Sequence, residues 1–306
     1  MKKIIITGGN GLVGRYLNSV FEKKKYKIFS FSKEEMNTTD RETCYKIFKE
    51  IRPDIVIHLA ALTDVDFCEK NPEIAYKVNS EGTKNISEIS SYFNSFIIYL
   101  STDFVFDGKK GTPYTEKDEP NPINVYGKSK LKGEEFILSN CLKEKFLIIR
   151  TSRIFGKNGK SFGSKLPLIM KEKKEIFLTT DIINSPTYVL ELANSIKKLI
   201  EKYFYGIINI CNNNWCSWYE FGIKMKEILK SEIKIKGITF EEYGKIFNVY
   251  AKRPKFSALS IDLLNSLNIK MRPWEKSLKI FLNKDLKIWE KDAINSIRKG
   301  DIYEKS

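Results

Sequence analysis

The sequence predicts an α/β fold with a doubly wound parallel sheet and a smaller α/β domain in its C-terminal half. Short apolar, β-branched runs alternate with amphipathic stretches over the first 150 residues. This alternation is typical of parallel strands that are covered by helices on both faces. A glycine-rich segment follows the first of these runs directly. Beyond residue 150 the alternation loosens, without an internal repeat or a low-complexity linker.

The periodicity of the apolar residues gives the expected bounds of each element. The predicted strands are Lys3–Ile6, Lys27–Phe31, Ile55–His58, Phe96–Leu100, Phe146–Arg150 and Gly206–Ile210. The predicted helices are Leu12–Lys24, Arg41–Ile51, Glu73–Phe93, Val125–Cys141, Phe162–Lys173, Val189–Lys202 and Trp218–Lys230. We therefore expect one domain at residues 1–152, with residues 178–205 packing on it, and a second domain formed mainly by residues 153–306.

The first loop carries the motif Gly8-x-x-Gly11-x-x-Gly14 between a strand and an amphipathic helix. Glycine is needed where the backbone turns with positive φ, where it approaches a pyrophosphate and where the helix packs closely on the sheet. The helix then presents free N–H groups and its positive dipole end to phosphates. The motif predicts a Rossmann-type domain whose dinucleotide contacts are Gly8, Asn10, Gly11, Leu12, Val13 and Gly14.

The end of the second predicted strand indicates which dinucleotide binds. An acidic residue there accepts a hydrogen bond from a free ribose 2′-hydroxyl and repels a 2′-phosphate. Here Ser32 and Lys33 come first, which favours NADPH. Glu34 follows immediately and leaves NADH as the alternative cofactor.

A second group of residues predicts the chemistry. Thr102 ends the fourth strand region, and Tyr126 and Lys130 follow at i and i+4 of a predicted helix, so that both side chains point the same way. An ammonium beside the phenol stabilises a transient phenolate, and the threonine hydroxyl can hold the carbonyl oxygen that the phenol protonates. After a dinucleotide motif, this spacing predicts a carbonyl reductase.

These motifs belong to a family resemblance that runs almost end to end. The segments that carry it include 51–61, 78–83, 101–108, 124–130, 185–188 and the motif Arg253-Pro254-x-x-Ser257. The chain resembles the extended short-chain dehydrogenase/reductases and, among them, the dTDP-4-dehydrorhamnose reductases. The resemblance implies reduction of the C4 ketone of a nucleoside-diphospho-4-keto-6-deoxy sugar. Conversion of dTDP-4-dehydrorhamnose to dTDP-L-rhamnose, a step towards cell-surface polysaccharide, is the first expectation.

The resemblance also implies roles for the matched residues. Thr102, Tyr126 and Lys130 match the catalytic hydroxyl, acid and lysine, and Asp103 matches an acidic neighbour in the same site. The implied cofactor contacts beyond the glycine loop are Ser32, Lys33, Asn37, Thr38, Ala60, Ala61, Leu62, Asn79 and Ser101, together with Tyr126 and Lys130. The implied substrate contacts are Thr102, Asp103, Phe104, Arg153 and Arg253, of which the last is suited to a diphosphate.

Two positions depart from the family pattern. Arg153 stands where the family has a tryptophan that faces the sugar, and Phe104 stands where it has a tyrosine. Neither change touches the proton relay, but both leave the exact sugar open. Another nucleotide-sugar reductase or epimerase is the first alternative. A non-catalytic dinucleotide-binding subunit, like the regulatory subunit of methionine adenosyltransferase, is the second.

The composition argues against several other classes of protein. The formal charge of +15 comes mostly from scattered lysines without an arginine-and-aromatic stripe, so no nucleic-acid partner is expected. No apolar run reaches membrane-spanning length, and the five cysteines lack the spacing of a metal site. We therefore expect a cytoplasmic protein with free thiols and no metal, and we leave a homodimer open. Core positions are expected for His58, Trp215, Trp218, Trp274 and Trp289.

Overall fold

The computed structural model describes residues 1–286. Its strands are β1 (Lys2–Thr7), β2 (Tyr26–Phe31), β3 (Ile55–His58), β4 (Phe96–Thr102), β5 (Phe146–Thr151), β6 (Ile154–Phe155), β7 (Glu175–Thr179), β8 (Ile183–Asn184), β9 (Thr187–Tyr188), β10 (Gly206–Asn209), β11 (Cys216–Ser217) and β12 (Lys234–Ile238). Every strand predicted from the apolar runs is present, and no strand end differs from its predicted position by more than two residues.

The helices also follow the predicted order. They are α1 (Leu12–Val20), α2 (Arg41–Ile51), α3 (Val65–Lys70), α4 (Pro72–Tyr76), α5 (Gly82–Tyr92), α6 (Val125–Asn140), α7 (Phe162–Glu172), α8 (Val189–Glu201), α9 (Trp218–Leu229), α10 (Phe240–Phe247), α11 (Asp262–Ser266) and α12 (Trp274–Ile280). A π-helical turn, Lys77–Glu81, joins α4 to α5, and a second one, Phe281–Asp285, follows α12. The first helix ends before the predicted Lys24 because Phe21 turns to an extended conformation and packs into the core.

The central sheet has six parallel strands in the order β2-β1-β3-β4-β5-β10. Side chains of β1 alternate between its faces, as strand geometry requires. Ile4 and Ile6 enter one apolar cluster, and Ile5 enters another. The sheet is therefore buried on both faces, which confirms the doubly wound parallel fold.

The second half of the chain builds smaller sheets beside this one. β7 pairs with β12 and β6 with β9 in parallel, whereas β8 pairs with β11 in antiparallel orientation. Helix α8 packs on α1, and Lys197 on α8 forms an ion pair of 2.8 Å with Glu22. Strand β10 joins the central sheet, so this sheet continues past the expected boundary at residue 205. Within residues 1–286, no helix combines the length and apolar character needed to cross a bilayer.

Candidate active site

The strand order creates a crevice at the carboxyl ends of β1 and β3. The chain goes from β1 to β2 on one side and then returns to β3 on the other, and ligands of open α/β sheets bind at such switch points. Three segments reach this edge: the glycine loop after β1, residues 59–62 after β3, and the end of β4 at Thr102. The sequence-predicted residues of all three segments therefore belong to one region of the molecule.

The glycine loop has no room for side chains at two of its predicted positions. Gly8 has a φ of 65°, and a Cβ there would lie 2.9 Å from the backbone nitrogen of Ala60. A Cβ on Gly14 would lie 2.5 Å from the carbonyl oxygen of Gly9. Gly11 is the N-cap of α1, and no side chain caps that end of the helix. The loop therefore fits a diphosphate, which the bare backbone and the helix N-terminus could hold.

The side chains within this loop point in different directions. Asn10 is exposed, and its carbonyl oxygen accepts a hydrogen bond from the Arg15 guanidinium. Val13 is buried in the core and Leu12 is packed against it. The predicted cofactor contacts of Leu12 and Val13 would therefore be made by their backbone atoms, because their side chains pack in the core.

The segment after β2 carries both the lysine that favours NADPH and the glutamate that favours NADH. Lys33 and Glu34 are exposed, whereas Ser32 is buried and its N–H donates to the Glu35 carboxylate at 2.7 Å. Nearby, Thr38 is buried and its carbonyl oxygen accepts from Asn85. The predicted adenine contact Asn37 is exposed, and its side-chain oxygen accepts from the Thr39 N–H and hydroxyl.

A fully buried amide fixes the loop of the predicted nicotinamide contacts Ala60, Ala61 and Leu62. The Leu62 N–H donates to Asn79 Oδ1 at 2.7 Å, and Asn79 Nδ2 donates back to the Leu62 carbonyl oxygen at 3.0 Å. The same Nδ2 also donates to the Ser129 hydroxyl on α6. Asn79 lies in the first π-helical turn, a rare geometry that is frequent at functional sites. It ties the loop after β3 to the helix that carries Tyr126.

The predicted proton relay is assembled at the start of α6. Asn124 caps this helix by accepting a hydrogen bond from the Gly127 N–H at 2.8 Å, which places Tyr126 in the first turn. The hydroxyl of Thr102, at the end of β4, donates to Asp103 Oδ1 at 3.2 Å, and the neighbouring Thr102 lowers the pKa of the Tyr126 phenol. Phe104 packs against the Tyr126 ring edge to face, with centroids 5.8 Å apart. The predicted acid and the predicted orienting hydroxyl therefore lie in the same part of the site.

Burial controls the electrostatics of the relay. Burial raises the pKa of Tyr126, and the smaller effect of the Thr102 hydroxyl lowers it. The phenol therefore keeps its proton at neutral pH. Burial lowers the pKa of Lys130 to about 7, against the charge of Glu134. The Lys130 Nζ lies 4.0 Å from the centroid of the Tyr99 ring. Proton donation is favoured by a phenol that keeps its proton at neutral pH and by a lysine, one helical turn further on, whose pKa is about 7.

Asp103 is a buried carboxyl beside the relay. Burial raises its pKa to about 6, although hydrogen bonds from Ser257, Ser152 and Thr102 oppose the change. The Ser257 hydroxyl donates to Asp103 Oδ2 at 2.6 Å. Ser257 was not among the predicted site residues, although it belongs to the motif that begins at Arg253. Its fixed spacing from Arg253 was the feature of the sequence that could have indicated a site role for Ser257.

The two predicted substrate arginines are both engaged by protein groups. Arg253 Nη2 lies 2.6 Å from Asp66 Oδ2, and its Nη1 donates to the Ala251 carbonyl oxygen. Asp66, which was not among the predicted site residues, is a carboxylate on α3 that also accepts from the backbone N–H groups of residues 250 and 251. These bonds attach the motif segment of the second half to the first.

Arg153 is turned towards protein carbonyls. Its backbone has a φ of 41°, and its guanidinium carbon lies 4.0 Å from the centroid of the Trp218 ring. Its Nη1 donates to the carbonyl oxygens of Cys216 and Ser217, each at 3.2 Å. Burial lowers the pKa of Arg153 to about 10, while Asp103 and other negative groups oppose that change. A substrate that binds Arg153 would therefore share the guanidinium with the carbonyl oxygens of Cys216 and Ser217.

The remaining predictions concern the single histidine, the cysteines and the tryptophans. His58 is fully buried between the hydroxyls of Thr7 and Thr83, and burial lowers its pKa to about 3, which confirms a core histidine. All five cysteines are free. Trp274 is buried and Trp218 packs against the core, but the core prediction is wrong for Trp215, which is 47% exposed. The loop before β11 leaves the Trp215 ring at the surface, where it contacts Phe256. Trp289 lies outside the described residues.

A doubly wound parallel sheet, a glycine loop at its switch point, and the predicted group of Thr102 on β4 with Tyr126 and Lys130 on α6 are the features of an extended short-chain dehydrogenase/reductase. The family model described as RmlD substrate binding domain matches residues 1–287. The chain belongs to this family.

Individual relatives agree with this assignment. The spore coat polysaccharide biosynthesis protein SpsK of Bacillus subtilis is 35% identical over 92% of this chain and 97% of its own length. The dTDP-4-dehydrorhamnose reductase of Aggregatibacter actinomycetemcomitans is 31% identical over 91% of this chain and 98% of its own. A crystal structure of dTDP-4-dehydrorhamnose reductase from Bacillus anthracis in complex with NADP has a TM-score of 0.88 and 36% identity. It covers 92% of this chain and 99% of that one.

Proposed function

We propose that this protein is an NADPH-dependent reductase of the C4 ketone of a nucleoside-diphospho-4-keto-6-deoxy sugar. dTDP-4-dehydrorhamnose, with dTDP-L-rhamnose as the product, is the favoured substrate. The observation that carries the proposal is the placement of Tyr126 and Lys130 one helical turn apart on α6, with Thr102 at the end of β4 close enough to lower the pKa of the Tyr126 phenol. Full-length relatives that are named as dTDP-4-dehydrorhamnose reductases support the choice of sugar nucleotide.

The residues at the crevice fit a nicotinamide dinucleotide. The glycine loop would hold the diphosphate: Gly8 and Gly14 let the loop pack directly against the backbone of Ala60 and Gly9, and the free N-terminus of α1 follows. The rigid loop held by Asn79 would hold the nicotinamide side, and Lys130 would bind the ribose next to it. The reduced nicotinamide, when bound, supplies the hydride.

The chain itself supplies the proton and the positioning. Thr102 holds the ketone oxygen, and the Tyr126 phenol donates its proton to that oxygen as negative charge develops there. The phenolate that remains is stabilised by the Lys130 ammonium and is reprotonated from solvent. One hydride and one proton thus convert the ketone to an alcohol.

The halves of the chain divide these tasks. We assign cofactor binding to residues 1–152 with 178–205 packing on them, and substrate binding mainly to residues 153–306. Arg253 and Arg153 come from the second part, while Asp103 and Phe104 come from the first. A sugar nucleotide between the parts would contact both. A homodimer is compatible with this arrangement.

The choice between the two cofactors depends on the exposed end of β2. An ammonium at Lys33 near a 2′-phosphate gains about 1 kcal/mol at a solvent-exposed site, which corresponds to a several-fold preference for NADPH. Glu34 acts in the opposite direction, so some use of NADH is expected. The measurement is KM for both cofactors with the same sugar substrate. A clear preference for NADH would contradict the role of Lys33.

The direct test of function is NADPH oxidation with 4-keto-6-deoxy sugars that carry dTDP, GDP, UDP or CDP. We expect turnover with dTDP-4-dehydrorhamnose. If this sugar is inert and another one reacts, the substrate is wrong and the reaction class survives. An epimerase would regenerate its cofactor, so net NADPH consumption separates the two reactions. Absence of all turnover, together with co-purification of a methionine adenosyltransferase, would favour the non-catalytic alternative.

Replacing Arg253 with alanine is expected to raise KM for the sugar nucleotide about 10–100-fold and to change KM for NADPH little. A hydrogen bond between charged groups contributes about 1.5–3 kcal/mol, which sets this range. The measurement is steady-state kinetics with each substrate varied in turn.

The Asp66 ion pair requires a control for this variant. Asp66→Asn breaks the pair of 2.6 Å while keeping the guanidinium. If Arg253 binds the diphosphate directly, KM for the sugar nucleotide should rise much less in Asp66→Asn than in Arg253→Ala. Equal increases would mean that Arg253 acts by attaching its segment to α3.

A further inference from the structure

A buried carboxylate lies behind the proton relay and has no part in the chemistry described above. Glu134 is 1% exposed and lies on α6, one helical turn after Lys130. Its carboxylate accepts a hydrogen bond from the Ser101 hydroxyl and two from Arg150, from Nε at 3.1 Å and from Nη2 at 2.7 Å. A carboxylate with this many buried donors is held in one position.

These bonds join the elements that carry the relay. Ser101 directly precedes Thr102 at the end of β4, Arg150 lies on β5, and Glu134 lies on α6 with the relay tyrosine and lysine. A two-point guanidinium–carboxylate contact fixes the orientation of both partners. The carboxylate therefore determines how closely the end of β4 approaches α6.

The charge of this carboxylate also acts on Lys130. Lys130 is 2% exposed, and within residues 1–286 no carboxylate forms an ion pair with its ammonium. Burial lowers its pKa, and Glu134 is the group that raises it. The titratable groups that act on the ammonium are Glu134 on α6, Tyr99 on β4 and the neutral His58 on β3, and Arg150 on β5 pairs with Glu134 and partly offsets its charge. Tyr126 precedes Lys130 by one helical turn on α6.

We propose that Glu134 is a positioning residue for the relay: it holds the Thr102 end of β4 against α6 and places a negative charge one helical turn from the Lys130 ammonium. This inference rests on the proposed function, because it assigns Glu134 to the relay of that reaction. It distinguishes Glu134 from a purely structural ion pair, which would affect folding and leave the titration of Lys130 unchanged.

The test compares Glu134→Gln with Glu135→Gln. Glu135 is the next residue on the same helix, but it is exposed and pairs with Lys132 at the surface. Both variants are assayed for kcat against pH and, without sugar, for NADPH affinity against pH. In Glu134→Gln we expect the inflection that reports loss of the Lys130 proton about one pH unit lower, with kcat at pH 7.5 reduced up to about tenfold. Glu135→Gln should keep the wild-type inflection.

Two further variants separate charge from structure. Glu134→Asp and Ser101→Ala both keep the negative charge, so they should keep the wild-type inflection even where kcat falls. An unmoved inflection in Glu134→Gln would overturn the proposal. If that variant does not fold, a downward shift of about a unit in either of the other two overturns it instead. Because the NADPH titration needs no sugar, a wild-type protein that binds NADPH and reduces no keto sugar would count against the proposed function alone.

Discussion

Tyr126→Phe is expected to lower kcat by about 10²–10⁴-fold, because a positioned general acid contributes that much to a proton transfer. Only the hydroxyl is lost. The ring remains and keeps its edge-to-face contact with Phe104, so the fold and the cofactor crevice should be unaffected. KM for NADPH should stay near the wild-type value. The measurements are kcat for reduction of the keto sugar and NADPH binding by titration.

A matched control for this variant is Tyr203→Phe. Tyr203 is 73% exposed, and its ring contacts Lys2 without involving the hydroxyl. Its kcat should equal that of the wild type. Full activity in a folded Tyr126→Phe protein would eliminate the proposed acid, and Thr102 or bound water would then have to supply the proton.

Gly14→Ala is expected to weaken NADPH binding about a hundredfold, which corresponds to about 2.7 kcal/mol. The added Cβ would lie within 2.8 Å of three backbone atoms of Gly9, and a backbone has no rotamer by which to escape. The glycine loop must shift, and its N–H groups would leave the positions that a diphosphate needs. Fluorescence titration with NADPH measures the effect, and thermal unfolding shows whether the fold survives.

The control for this substitution is Gly244→Ala, which adds the same methyl group inside α10. A Cβ there has only an ordinary contact of 3.5 Å, with the Val249 carbonyl oxygen. Because alanine favours a helix interior over glycine by up to about 1 kcal/mol, this variant should be neutral or slightly more stable. Unchanged NADPH affinity in Gly14→Ala would show that the loop does not approach the ligand.

The sequence was sufficient wherever a local pattern determines the geometry. The bounds of α2 were predicted to the residue because Asp40 caps one end and the apolar face stops at Ile51. Tyr126 and Lys130 lie one turn apart on a helix, and Thr102 ends a strand, as the local patterns predicted. In each case the determining contacts lie within a few residues of one another along the chain.

The sequence was insufficient wherever a partner is distant along the chain. Nothing near Arg253 indicates Asp66, and nothing near Asp103 indicates Ser257, because each pair meets only after both halves have folded. The orientation of Arg153 depends equally on carbonyl oxygens that β11 contributes. The family pattern identified the position of that residue, but packing decides where the guanidinium points.

The position of β10 has a consequence for synthesis of the protein on the ribosome. All six residues of β5 are buried, and β10 closes its free edge by pairing Ile207 with Ile148 and Ile208 with Ile149. Until residue 209 has left the ribosome, a nascent chain exposes an apolar strand with unpaired backbone groups, which is the form most prone to aggregation. Fragments that stop before residue 206 should therefore need a chaperone or precipitate, although they contain the complete glycine loop and the relay.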